Sequence, residues 1–126
     1  LQQPMSDAAK IAAAGPASNL LLAVIFTLFA HLAGYASGAA MGQLLALVVV
    51  VNIFLALFNL IPLPPLDGSK ILYSWLAKQG EGGMGAVVWL ERYGTWILLA
   101  VIAWGMTIVQ LPALYLANLL LPGFLN

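Results

Sequence analysis

The sequence predicts an all-α fold, a polytopic transmembrane helical bundle with a proline-broken extended segment near the cytoplasmic face. Of the 126 residues, 63% are hydrophobic and only 6% are charged, and the mean hydropathy is +1.04. Soluble domains carry roughly 25% charged residues. Three apolar runs come close to or exceed the roughly 20 residues that a helix needs to cross a bilayer core. We therefore expect an integral, multi-pass membrane protein.

Residues 11–33 form the first predicted span. Small and polar side chains recur within it at every fourth position: Gly15, Asn19, Ala23, Thr27 and His31. Side chains four residues apart lie on one side of a helix, and small side chains let neighbouring helices approach closely. This stripe is therefore expected to face protein. The uncharged, Gly- and Ala-rich stretch 34–42 predicts a short loop outside the bilayer.

The second predicted span covers residues 44–61. Asn52 and Asn59 lie two helical turns apart in it, so both amides should point to the same side, towards the bundle interior. Pro62 ends this span because proline lacks a backbone N–H and clashes with the preceding turn. A short helix is expected over 68–78, followed by a flexible connection over 79–85 because glycine is frequent there.

The third predicted span covers residues 87–110. Pro112, Pro122 and Gly123 leave only about ten residues between helix breakers in the tail, which predicts an interfacial helix or part of a further crossing. No internal repeat or linker divides the chain. Residues 1–126 are therefore treated as a single transmembrane domain.

Charged residues predict the orientation and exclude some partners. Lys10, Lys70, Lys78 and Arg92 all fall on one side of this scheme, which the positive-inside rule makes cytoplasmic. The net charge of zero gives no electrostatic footprint for nucleic acid. The lack of cysteine excludes disulfides and thiolate metal sites within the chain. The start at Leu1 does not resemble a signal peptide, and we expect a fragment of a longer protein.

Asp67 is the residue with the strongest chemical signal. Three prolines, at 62, 64 and 65, precede it, forbid helix and favour extended backbone in the residues before them. Irregular backbone at membrane depth persists only in contact with protein or a wet cavity, and a carboxylate there needs a partner or a metal. A folded-back path would bring Asn59 close to Asp67. The alternative interpretation is that Asp67 simply caps the following helix.

The run from Asn59 to Gly68, Asn-Leu-Ile-Pro-Leu-Pro-Pro-Leu-Asp-Gly, resembles the Asn-x-x-Pro-x-x-x-Leu-Asp-Gly signature of the site-2 protease family of intramembrane zinc metallopeptidases. The upstream run 14–19, Ala-Gly-Pro-Ala-Ser-Asn, resembles the family's Ala-Gly-Pro-x-x-Asn element. The resemblance implies that Asp67 is the third zinc ligand. It also implies that the Asn59 amide steadies the substrate carbonyl or the developing oxyanion, and Gly68 matches the glycine after the ligand.

The sequence departs from the family in one respect. The first two zinc ligands and the general base of the family come from a His-Glu-x-x-His helix, which does not occur in this chain. The Zn²⁺ site is therefore incomplete here, and the chain alone is expected to be inactive. We expect the motif upstream of Leu1 in the full-length protein. His31, the one histidine, is a poor candidate ligand because it falls near the far end of the first span, and we expect it to be hydrogen-bonded within the bundle or near the outer interface.

The resemblance implies an enzyme that hydrolyses peptide bonds of membrane-embedded or membrane-proximal proteins or peptides. Its implied partners are that substrate, the lipid bilayer and the missing N-terminal helices of the same protein, and the expected location is a bacterial or archaeal cell membrane. Two alternatives stay open. The chain could belong to a transporter or channel with a cation or proton site at Asp67, or to a catalytically inactive homologue.

Overall fold

The computed structural model describes residues 4–105 and 107–125, and within them the chain forms helices and no strands. The helices are α1 (Pro4–Leu32), α2 (Ala40–Asn59), α3 (Asp67–Ala77), α4 (Glu81–Trp104) and α5 (Thr107–Leu120). A short 3₁₀ turn, Tyr35–Ser37, lies between α1 and α2. Three helices, α1, α2 and α4, are long and apolar enough to cross a membrane. The predicted all-α class is confirmed.

The third span is displaced from its predicted position. The sequence predicts it over 87–110, but α4 begins at Glu81 and ends at Trp104, and the next residue, Gly105, takes a positive φ of 132°. The expected flexible connection over 79–85 is therefore wrong, because only residues 78–80 separate α3 from α4. The predicted short helix 68–78 agrees with α3 to within one residue at each end.

Gly83, one of three glycines in the first turns of α4, packs closely against α3. A Cβ atom at this position would collide with the backbone carbonyl oxygen of Leu76 on α3 and would stand 2.9 Å from the Gln79 Cβ. The α3 and α4 helices pack against each other, and the missing side chain lets their backbones approach. Gly83 therefore allows close helix packing. A cluster of glycines in a sequence can indicate either close packing or a flexible connection, and the pattern alone does not distinguish the two.

The chain divides into two compact units. One consists of Leu1–Pro16 with Phe58–Met106, and the other of Ala17–Leu57 with Thr107–Asn126. The core of the second unit is rich in alanine and consists of buried residues from α1, α2, α5 and the segments that follow α1 and α5: Ala23, Ala30, Tyr35, Ala46, Val49, Ile53, Ala113, Ala117 and Leu121. Small side chains allow helix backbones to approach closely in an apolar environment. The assignment of all residues to one transmembrane domain stays a prediction.

The tail forms a helix that includes one of its expected breakers. Pro112 lies inside α5 instead of ending it, so the expectation that it limits the helix is wrong. Proline inside a helix forfeits one backbone hydrogen bond, a loss that packing can offset. Val109, Ala113 and Ala117 are buried at intervals of four, which gives α5 a continuous packed face.

His31 lies in the second unit and has a structural role there. Its Nε2 atom lies 3.0 Å from the carbonyl oxygen of Leu120, and its ring meets Tyr35 edge-on at 4.7 Å between centroids. Tyr35 in turn donates its hydroxyl hydrogen to the Pro122 carbonyl. The predicted hydrogen-bonded role of His31 is confirmed.

Candidate active site

The segment between α2 and α3 consists of consecutive tight turns. Its backbone N–H groups donate to nearby carbonyls: Ile61 to that of Phe58 in the last turn of α2 at 3.1 Å, Leu63 to that of Ile61 at 2.8 Å and Leu66 to that of Leu63 at 2.9 Å. The prolines exclude helix, as predicted, but the segment is not extended. Amides without a helical or strand partner must pair elsewhere when they are withdrawn from water, and the turns provide nearby carbonyls.

These turns lead directly into α3. The Pro64–Pro65 peptide bond is cis, and the turn that contains it closes at Leu66, which is the N-cap residue of α3. Both the backbone N–H and the hydroxyl of Ser69 donate to the Leu66 carbonyl, at 3.1 and 2.7 Å. Ser69 therefore fastens the end of the turn to the first turn of the helix.

Asp67 is the first residue of α3, not its cap. The N-cap position belongs to Leu66, which makes no side-chain cap hydrogen bond, so the interpretation of Asp67 as the N-cap residue is wrong. A carboxylate in the first helical turn is still favoured by the partial positive charge of the exposed N–H groups. The side chain of Asp67 is half-buried. It is held at the break between α2 and α3, where the sequence predicts it.

Gly15 of α1 lies against the carboxylate of Asp67. A Cβ atom on Gly15 would stand 3.0 Å from the Asp67 Oδ2 atom, closer than most real Cβ contacts. Both residues belong to the first compact unit. The structure therefore brings together the two sequence runs that carry the family resemblance, although they are some fifty positions apart in the chain.

Gly68 marks the point where the chain returns on itself. A Cβ atom at Gly68 would collide with the carbonyl oxygen of Leu60 and would stand 2.5 Å from that of Ile61. The start of the turn segment therefore touches the start of α3. Asn59, the half-buried last residue of α2, directly precedes Leu60, and Asp67 directly precedes Gly68. The chain therefore folds back here, so that Leu60, the residue after Asn59, contacts Gly68, the residue after Asp67. The closeness of Asn59 itself to Asp67 stays a prediction.

The metal-ligating side chains of the described residues do not form a complete site. No group of three or more His, Cys, Asp or Glu residues within residues 4–105 and 107–125 lies close enough to hold a metal ion. A catalytic zinc takes three protein ligands and an open position. Asp67 supplies an oxygen ligand of a type that zinc accepts, and a complete set of three ligands would need residues from outside the described part of the chain.

Tyr73 adds a buried hydroxyl six residues beyond Asp67 on α3. The residue is 7% exposed, and its hydroxyl has no hydrogen-bond partner among the described residues. Burial raises the pKa of the Tyr73 phenol above its ordinary value, and the negative charge of Glu91 on α4 adds to the shift. The nearby Ser69 hydroxyl opposes it. The phenol is therefore held in its neutral form.

Two residues of α4 that the sequence does not single out, Gly94 and Thr95, touch the proline turn. Gly94 is buried against the ring of Pro64, and Thr95 donates its hydroxyl hydrogen to the Pro64 carbonyl at 3.2 Å. Their positions in the sequence give only a weak sign of this contact. An isolated glycine within an apolar helix indicates a close approach but does not name the partner.

Comparison with known families identifies one match to a large part of the chain. Residues 30–101 match the model of peptidase family M50. This region contains α2, the proline turns, Asp67 and α3, together with most of α4. No solved structure matches the chain.

Three curated relatives are named zinc metalloproteases. Rip3 of Mycobacterium tuberculosis is 35% identical over 98 residues, which cover 77% of this chain and 25% of Rip3. YwhC of Bacillus subtilis is 37% identical over 78 residues, or 56% of this chain and 36% of YwhC. MJ0611 of Methanocaldococcus jannaschii is 40% identical over 63 residues, or 50% of this chain and 32% of MJ0611. The aligned part of the chain therefore spans between a quarter and just over a third of these relatives.

Proposed function

The chain belongs to peptidase family M50, the site-2 protease family, and we propose that it forms part of the active site of an intramembrane zinc metalloprotease. The observation that carries this proposal is the position of Asp67. Its half-buried carboxylate lies at a helix break, beside Gly15, in a chain with three helices that fit a membrane protein. A carboxylate in such a position is costly unless it has a partner or a metal.

Asp67 is proposed as the third zinc ligand. Its carboxylate oxygen suits Zn²⁺, and the other two ligands would come from a His-Glu-x-x-His helix in the full-length protein. Zinc in such a site supplies Lewis-acid activation of a water molecule and of a peptide carbonyl. The contribution of this chain is to fix one ligand by backbone packing, through Gly68 against the carbonyls of Leu60 and Ile61.

Asn59 is proposed as the donor to the substrate carbonyl. A neutral amide can donate a hydrogen bond to an oxygen that gains negative charge and does not compete for the metal. The support is its place at the end of α2, next to the Leu60 carbonyl that contacts Gly68. Removing one such donor in other enzymes lowers kcat by roughly a hundred- to a thousandfold.

The proposed substrates are membrane-embedded or membrane-proximal proteins or peptides. A helix must unwind locally before its peptide bonds can reach a catalytic centre, and an irregular segment beside Asp67 favours binding of unwound backbone. The other proposed partners are the lipid bilayer and further helices of the same protein. Prokaryotic relatives in the comparisons make a bacterial or archaeal cell membrane the proposed location.

The test uses the full-length protein with three variants, Asp67→Ala, Asn59→Ala and Glu81→Gln. Glu81 is the matched control because it is an acidic, exposed residue at the start of α4. We expect Asp67→Ala to lose bound zinc and peptidase activity together. Asn59→Ala should keep zinc while kcat falls by about a hundredfold or more. Glu81→Gln should match the wild type in both measurements.

Several outcomes would contradict the proposal. Full zinc content in Asp67→Ala would remove its role as a ligand, and if ion flux were lost at the same time, a transporter would be the better interpretation. A complete reading frame with a degenerate or absent His-Glu-x-x-His motif would indicate a catalytically inactive homologue. Unchanged kcat in Asn59→Ala would exclude the amide as a donor without affecting the role of Asp67.

A further inference from the structure

Two consecutive residues of α4 contact the proline turn at a single point, Pro64. A Cβ atom on the buried Gly94 would stand 2.5 Å from the Pro64 Cδ atom and 2.8 Å from its Cγ atom. The next residue, Thr95, donates its hydroxyl hydrogen to the Pro64 carbonyl oxygen at 3.2 Å. The ring and the carbonyl of Pro64 are thus both held by α4, one by close packing and the other by a hydrogen bond.

Pro64 is coupled to Asp67 through a short series of backbone contacts. It lies inside the turn that the Leu66 N–H closes on the Leu63 carbonyl at 2.9 Å. Ser69 then binds the Leu66 carbonyl with its hydroxyl and its N–H. A shift of Pro64 would therefore move the first turn of α3, which begins at Asp67.

The chemistry of Pro64 makes this contact hard to relax. A proline ring has no rotamers that could move it away from an added methyl group, and its φ angle is fixed. Close-packed interiors yield to added volume through backbone shifts. A side chain at position 94 would therefore displace the turn more readily than it would reorient the ring.

We propose that Gly94 and Thr95 are positioning residues for Asp67, which fix the proline turn on α4 so that the carboxylate keeps one location. The inference rests on the proposed function of Asp67 as a zinc ligand. α4 contributes no side chain to the zinc site itself. In this proposal it stabilises the position of Asp67 by packing against the proline turn that precedes it. Residues that orient metal ligands typically change metal affinity by about 10- to 100-fold when they are altered.

The experiment measures zinc affinity and turn exposure in parallel on the full-length protein. The exposure reporter is a single cysteine, introduced by Leu63→Cys, since this chain has no cysteine of its own. Cysteines outside this chain are replaced beforehand. Leu63 is half-buried in the turn, so a maleimide should label the introduced thiol faster when the turn leaves α4. This second measurement does not require bound zinc or activity.

Four variants are compared on both measurements. Gly94→Ala should weaken zinc binding by about tenfold or more and speed labelling of the reporter thiol. Thr95→Val keeps the side-chain shape but loses the hydroxyl. The loss of one hydrogen bond should weaken zinc binding and speed labelling by roughly two- to tenfold. Thr95→Ser keeps the hydroxyl and should restore the wild-type values. Gly85→Ala on the same helix meets no atom within 4 Å and should change neither measurement.

The two proposals can fail separately. Wild-type labelling and wild-type zinc affinity in both Gly94→Ala and Thr95→Val would overturn the positioning role. Faster labelling with unchanged zinc affinity would also overturn it, because the turn would then move without affecting the ligand. If Asp67→Ala kept its zinc, the proposed function would fail, while the labelling rates would still report whether α4 holds the turn. Should Gly94→Ala fail to fold, Thr95→Val and Thr95→Ser decide the question.

Discussion

At the scale of single residues, two glycines determine the position of Asp67, because neither has a side chain at its point of contact. Gly15 leaves space for its carboxylate on α1, and Gly68 lets the backbone return to the carbonyls of Leu60 and Ile61. Each contact is too close for a Cβ atom without movement. The carboxylate is therefore located by backbone packing, which is less mobile than a hydrogen-bonding side chain would be.

Tyr73 gives a prediction about pH. Its phenol pKa is raised above the ordinary value of 10.0, mainly by burial and secondly by Glu91, so folding favours the neutral form. The stability that this provides is fully present below pH 10 and is lost as the pH rises through the folded-state pKa. We expect the melting temperature of the protein in detergent to fall above pH 10, and to fall less in Tyr73→Phe.

The control for this prediction is Tyr93→Phe, because Tyr93 is 45% exposed on α4. The melting temperature of Tyr93→Phe should fall above pH 10 by as much as that of the wild type. Near neutral pH, Tyr73→Phe should be as stable as the wild type or more stable by up to about 1 kcal/mol, since it removes a buried hydroxyl that has no partner among the described residues. Equal alkaline losses in all three proteins would contradict the assignment to Tyr73.

At the scale of helices, α3 and α4 form the support of the candidate site. α3 begins with Asp67, and α4 contacts it near Leu76 through Gly83 and contacts the preceding turn through Gly94. These two glycines lie three helical turns apart on the same side of α4. The same face therefore packs against both the helix and the turn that flank the carboxylate.

This packing predicts opposite effects for two neighbouring glycines. In Gly83→Ala the added methyl group meets the Leu76 carbonyl, which should lower the free energy of unfolding by about 1–3 kcal/mol. In Gly85→Ala the methyl group enters open space, and better helix propensity should raise stability by about 0.5–1 kcal/mol. Thermal unfolding in detergent measures both. Equal changes in the free energy of unfolding of the two variants would mean that Gly83 is not required for close packing of α4 against α3.

At the scale of the whole molecule, the few charged residues predict its orientation. Lys10, Lys70 and Lys78 share one side in the scheme of three spans, and that side should be cytoplasmic. Arg92, which the sequence places on the same side, lies within α4 and does not add to this count. We expect a cysteine at exposed Gln79 to react with an impermeant maleimide only from the cytoplasmic side, and one at exposed Ala36 only from the opposite side.

The lack of native cysteine in this chain keeps the labelling specific to each introduced position. Intact cells and inverted vesicles provide the two sides of the membrane. Labelling of both positions from one side would contradict the three-span scheme, and labelling with the sides exchanged would contradict only the orientation. Permeabilised membranes serve as the control for total reactivity.

Much of the fold could be predicted from the lengths of the apolar runs and from the positions of the prolines. Long apolar runs predicted three spans, and the prolines at 62, 64 and 65 predicted the break before α3, because apolarity and missing backbone donors act locally. Helix ends were less predictable. The sequence pattern predicts flexibility at Gly83 and a helix end at Pro112, but both residues lie inside helices. Whether a helix tolerates a glycine or a proline depends on the segment that packs against it.

The sequence by itself determined that the chain is an apolar, helical protein, that a carboxylate follows a proline-rich break, and that His-Glu-x-x-His does not occur within it. Only the tertiary structure decided that the break folds into turns, that Gly15 meets Asp67, and that α4 holds Pro64. The reason is physical. Hydrophobicity and backbone restrictions belong to each residue and its neighbours in sequence, whereas a close approach depends on the space that a distant segment leaves.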